Sequence, residues 1–104
     1  MLKNIIEILK RKIEYYRSEE YYVEEIIFMQ KDLWHLNMND DKIFLEINTY
    51  LNKIKLNSEK HPFLVEFKDK SNFLLNSKTY SKEERHKLLS SLYEYRRNLN
   101  TSNN

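Results

Sequence analysis

One hundred and four residues with no glycine, no cysteine and a single proline leave room for one domain with one modest core. Eighteen basic against sixteen acidic side chains leave a net +2, too little for a strong overall field toward nucleic acid or acidic lipid. The missing cysteine excludes disulfides, thiolate zinc sites and cysteine nucleophiles; the missing glycine excludes phosphate-cradling loops, dinucleotide fingerprints and nucleophile elbows in their usual form.

Apolar residues at helical spacing run almost from end to end. Leu2, Ile5, Ile6, Leu9, Ile13 and Tyr16 make one stripe, which weakens at Ser18-Glu19-Glu20 and resumes at Val23, Ile26, Ile27, Leu33 and Trp34. Positions 16, 23, 27 and 34 keep the earlier phase, so residues 2–36 read as one long, bent helix, with two helices broken at an N-capping Ser18 as the alternative. A turn at Asn37-Met38-Asn39 then leads into Asp40-Asp41, which suit a helix N-terminus. Ile43, Phe44, Ile47, Tyr50, Leu51 and Ile54 stripe the helix that follows, and it should end near Asn57-Ser58. Pro62 suits a first helical position and opens the next helix, with Phe63, Leu64, Phe67, Leu74 and Leu75 on its apolar side. Ser81-Lys82-Glu83-Glu84 fits a capping box ahead of Leu88, Leu89, Leu92, Tyr95 and Leu99.

The expected architecture is therefore all-α. It is an antiparallel bundle of four helices, or five if the first segment breaks, occupying residues 1–99 as a single domain, with 100–104 as a disordered polar tail. The longest unbroken apolar run is four residues, Ile26 to Met29, so no segment is expected to enter a membrane and a cytoplasmic protein is expected. Alanine is absent while Asn, Lys, Ile and Tyr abound, a bias that follows AT-rich codons and points to a low-GC bacterium or its phage.

Catalytic patterns are thin. Asp32/His35 and Glu83/His86 share the acid-x-x-His spacing of carboxylate-bridged di-metal bundles, and Glu20, Glu24, Glu46 or Glu66 could supply further carboxylates. Helical projection puts these groups on polar faces rather than toward an interior, so neither a metal nor any other cofactor is expected. Glu19, Glu20, Glu24 and Glu25 form an acidic strip without the burial that general acid–base work requires. His35, His61 and His86 are scattered, and the reading is of a protein that is not an enzyme.

Binding chemistry is better represented. Tyrosine and arginine are residue types that anchor protein interfaces, and Tyr80, Tyr93, Arg96 and Arg97 on and before the last helix are the first candidates for a partner surface. The strip Glu19, Glu20, Glu24 and Glu25 is the alternative, suited to a basic partner such as a nuclease toxin. Tyr15, Tyr16, Tyr21, Tyr22 and Trp34 exceed what one stripe can bury, which suggests a protein-binding face or a homodimer through the N-terminal helix, with a wide core-facing stripe as the equal alternative. Arg11, Lys12 and Arg17 beside Tyr15 and Tyr16 would serve a single-stranded nucleic acid, but adjoining glutamates and the balanced net charge make nucleic acid a lesser alternative.

The striped helix Ile43 to Ile54, the loop closed by His61-Pro62-Phe63-Leu64, and Thr79-Tyr80-Ser81-Lys82-Glu83-Glu84 before Leu88-Leu89-x-x-Leu92 appear in an order that resembles the immunity proteins of pediocin-like bacteriocins. The resemblance covers residues 40–99; residues 2–36 are longer than that family's first helix. It implies an antiparallel four-helix bundle in the cytoplasm that protects its producer by binding a toxin, or a receptor–toxin complex at the inner membrane face, with recognition in the C-terminal hairpin. Neutralisation by stoichiometric protein–protein binding is thus the leading expectation. An immunity protein or antitoxin for a nuclease toxin, or a phage inhibitor of a host defence protein, is the alternative, and a helical nucleic-acid-binding subunit the further one.

Overall fold

The computed structural model describes residues 2–78 and 80–102, the last three of these by backbone alone. It is all-helical, with five helices in the order α1 (Leu2–Tyr16), α2 (Glu19–His35), α3 (Asp40–Lys53), α4 (Pro62–Asn76) and α5 (Lys82–Ser102), and no strand among the described residues.

The first segment is two helices, not one. Ser18 ends the continuity because its hydroxyl serves both sides of the break: Oγ donates to the Tyr15 carbonyl at 2.6 Å and accepts from the Tyr21 N–H at 3.2 Å. A serine that satisfies both helix ends competes effectively with continued helix, whatever the phase of the surrounding stripe. At the far end of α2, Asn37 takes the left-handed conformation (φ 61°). The Met38 N–H bonds the Leu33 carbonyl at 3.1 Å and the Asn37 N–H bonds the Trp34 carbonyl at 3.0 Å, a Schellman motif. In a chain without glycine, asparagine is the residue that best tolerates this position.

The other starts follow their sequence signals. Asn39 Oδ1 accepts from the Lys42 N–H at 2.8 Å, Pro62 occupies the first turn of α4, and Ser81 Oγ accepts from the Glu84 N–H at 3.2 Å. Helix α5 runs to Ser102, three residues into the expected polar tail, since extending a formed helix costs far less than starting one. Residues 103 and 104 of that tail lie outside the described residues.

Helices α2 to α5 share a single core. Val23, Ile26 and Ile27 of α2 meet Ile43, Phe44, Ile47 and Leu51 of α3, Leu64, Phe67 and Leu74 of α4, and Leu88 and Leu92 of α5. Each helix touches the next, and α5 closes the ring against α2. Trp34, expected on the stripe, is instead 64% exposed near the end of α2.

Helix α1 stands apart. It contributes no buried residue, although it is the most strongly amphipathic of the five. Its apolar side chains are all exposed, from Ile6 at 46% to Leu2 at 75%. The molecule is consequently elongated, 57 × 30 × 30 Å.

Candidate interaction surfaces

Five polar residues sit inside the core boundary, Glu19, Asn48, His61, Ser71 and Arg85, and each proves to be a fastener. Glu19, in the first turn of α2, is buried; its Oε2 accepts from the Leu64 N–H at 3.1 Å. His61, the residue preceding α4, offers no side-chain cap of its own, so a carboxylate from another helix caps α4 instead. Burial, together with the nearby Glu19 carboxylate, pushes the Tyr95 phenol well above its ordinary pKa. Glu19 is thereby removed from the expected exposed acidic strip, because its charge is committed to a helix terminus.

His61 is buried as well. Its Nδ1 accepts from the Asn57 N–H at 3.0 Å, which leaves Nε2 to donate to the Arg17 carbonyl at 2.7 Å. Tyr22 meets the ring edge-on at 5.4 Å. One neutral imidazole thus ties the α1–α2 turn to the start of α4. Asn48 crosses from α3 to α4, where Nδ2 donates to Ser71 Oγ at 2.8 Å and Asn72 Oδ1 at 2.7 Å. Arg85 of α5 is buried beside Asp41 and Asp40 at the start of α3, and it donates to the Tyr80 hydroxyl at 3.4 Å. Burial works against its charge, but Tyr80 and the two carboxylates outweigh it, and the guanidinium pKa is raised.

The sequence-based candidates divide accordingly. Tyr80 is half-buried, its ring 6.0 Å from that of Phe44 and its hydroxyl against Arg85, which makes it part of the packing. Thr79, its neighbour in the motif, lies outside the described residues. Tyr93 is half-buried and donates to Gln30 Oε1 at 3.1 Å. Arg96 and Glu24, drawn from the two alternative surfaces, pair with each other at 2.8 Å across α2 and α5. Both remain partly accessible, at 40% and 27% of the side chain. Arg97, Glu20 and Glu25 are exposed. The two alternatives thus meet at the Glu24–Arg96 pair on the α2/α5 seam, while Glu25 lies toward Tyr21 and Tyr50 and Tyr80 packs beside Phe44.

Asp32, His35, Glu83 and His86 all lie exposed, and no three His, Asp or Glu side chains converge to hold a metal among the described residues. A groove of about 770 Å³ runs between α4 and α5, with Val65, Leu74 and Leu88 along it and Phe73 beside it at 72% exposure. Glu66, Asp69, Glu84, Lys70 and Lys87 rim it.

Sequence reading passed over Arg85 and Asn48 and misassigned Glu19. The signal was present: Glu19 precedes Val23 by one helical turn, Asn48 sits between Ile47 and Leu51, and Arg85 precedes Leu88, so each polar residue falls on its helix's apolar stripe. No protein-family model matches this chain, and no curated protein or solved structure is significantly similar to it. No helix among the described residues is long and apolar enough to cross a membrane.

Proposed function

We propose that this protein is a non-enzymatic binding protein that neutralises a toxin by stoichiometric occlusion, in the manner of bacteriocin immunity proteins, and that α2 to α5 form an antiparallel bundle working in the cytoplasm. The observation that carries the reading is the α4/α5 hairpin, which holds an apolar-floored groove of about 770 Å³ with Phe73 exposed beside it. Aromatic anchors next to a preformed groove are features of protein recognition, and α4/α5 is the hairpin in which the resemblance to pediocin-like immunity proteins puts specificity. Glu84 and Lys87 of α5 would supply the polar margin, and Tyr93, Arg96 and Arg97, which lie outside the groove, would make separate contacts.

The test is a challenge assay. Bacteriocin-sensitive cells expressing this protein are exposed to a panel of pediocin-like bacteriocins, beside cells expressing Phe73→Glu or Arg97→Ala. Survival above the empty-vector control, lost in the variants while their melting temperatures hold, is expected. Sensitivity equal to the control across the panel would reject bacteriocin immunity. A second reading, inhibition of a basic nuclease toxin, draws on Glu20 and Glu25, which stay exposed around Glu24. It requires salt-sensitive inhibition that Glu20→Lys with Glu25→Lys abolishes.

A further inference from the structure

We propose that α1 is an interfacial helix that lies on an anionic lipid bilayer with its Leu/Ile stripe down, holding the α2–α5 core at the membrane surface. It is independent of the toxin-neutralising reading.

The first support is an exposed apolar face, covered among the described residues only at Tyr16, which meets Tyr21. At about 100° per residue, Ile5, Tyr16, Leu9, Leu2, Ile13 and Ile6 fall in a continuous sector about 100° wide. All six are exposed. The core of α2 to α5 is complete without them.

The second is where the charges fall. Lys12 borders the apolar sector on one side and Arg17 and Lys10 border it on the other, with Lys3 farther out and Arg11 on the opposite face. The two glutamates of this segment, Glu7 and Glu14, project to the far side. Residues 2–17 hold five cations and two carboxylates, a net +3, so the rest of the chain carries −1. Cations bordering an apolar stripe, with acids held away from it, match the apolar–anionic boundary of a phospholipid headgroup layer.

The third is the hinge end. Tyr15, Tyr16 and Tyr21 stack edge-to-face with centroids 5.1 to 5.8 Å apart, and His61 holds the Arg17 carbonyl. Helix α1 is thus fixed at its C-terminal end by an aromatic collar of a residue type that favours interfaces between apolar and aqueous phases.

A second copy of the chain is the competing occupant, and the spacing alone would allow it: Ile6 and Ile13 take heptad a positions, and Leu2, Leu9 and Tyr16 take d. The flanking positions argue against it. Lys3, Lys10 and Arg17 occupy e, and Lys12 occupies g, so a parallel pair sets Lys12 against Arg17 of the copy, and an antiparallel pair sets Lys10 against its own copy. With barely two heptads, α1 has little to offset that repulsion.

The test is co-sedimentation of the full chain with vesicles of phosphatidylcholine alone and of phosphatidylcholine mixed with phosphatidylglycerol. Partitioning at least roughly tenfold stronger on the anionic vesicles is expected, falling at high salt. It should be lost in Ile6→Asp with Ile13→Asp and weakened at least as much in Lys10→Glu with Lys12→Glu. Unchanged melting temperatures in both variants would show that the loss is not unfolding. Equal binding to neutral vesicles, or anionic binding that survives either double variant, overturns the proposal. So does the absence of vesicle binding; if it is accompanied by a concentration-dependent dimer that Ile6→Asp with Ile13→Asp dissolves, the stripe belongs to a second copy.

Discussion

Replacing Glu19 by alanine should destabilise this protein far more than replacing any other glutamate of the same acidic stretch. The carboxylate is buried, caps the Leu64 N–H at 3.1 Å and lies near enough to Tyr95 to raise its phenol pKa. Removing an N-cap costs about 1 kcal/mol, and a hydrogen bond to a charged group contributes about 1.5–3 kcal/mol. The two figures overlap in part, because the cap is itself one of those bonds. The variant also strands a backbone donor inside the fold, so a total near 3 kcal/mol follows. For a chain of this length that is a fall of roughly 12–20 °C in melting temperature. Glu19→Gln keeps an acceptor oxygen and should lose about half as much. Glu20→Ala and Glu25→Ala, on exposed positions, should stay within about 0.5 kcal/mol of the parent. Thermal and urea unfolding followed by circular dichroism at 222 nm reads all four. If Glu19→Ala costs no more than Glu20→Ala, the capping assignment is wrong and Glu19 returns to the surface strip.

Arg85→Met should be tolerated within about 1 kcal/mol, because its acidic partners are 67% and 75% exposed and regain water, whereas Arg85→Ala should lose about 2 kcal/mol through the packing of its stem, as urea midpoints would show. Burial pushes Tyr50 up to about 12, with Glu25 adding to the effect, and raises Tyr95 further. In the unfolded chain both phenols ionise near 10, so the folded form holds more protons above that pH, and their contribution to stability should be constant below about pH 10 and fall between pH 10 and 12. Tyr50→Phe should flatten that fall in pH-dependent urea titrations; an unchanged slope would contradict the assignment. A double-mutant cycle on Glu24 and Arg96 should return a coupling below about 1 kcal/mol, since both side chains keep access to water.

Much of the fold is legible in the sequence because helix starts have local chemistry. Asn39, Pro62 and Ser81 announce α3, α4 and α5 by their own side chains, and the stripes that follow supply the core. The break at Ser18 is less legible, because positions 16, 23, 27 and 34 keep one phase through it and only the serine's double hydrogen bonding decides the outcome. Amphipathicity also fails to say what covers a stripe: α1 and α3 read alike, yet Ile47 is fully buried while Ile13 is 50% exposed. The partner surface was the least legible part. A glutamate on an apolar stripe is either a solvated outlier or a buried cap, and Glu19 becomes a cap only because α4 begins beside it.

Denaturation of the Ile6→Asp, Ile13→Asp double variant shows whether an outward-facing α1 is separate from a self-sufficient α2–α5 core. The urea midpoint should match the parent, with a change in unfolding free energy under about 0.5 kcal/mol, because neither side chain is buried in the parent. A loss of about 2 kcal/mol or more, the scale of truncating a core isoleucine, would put α1 inside the folding unit.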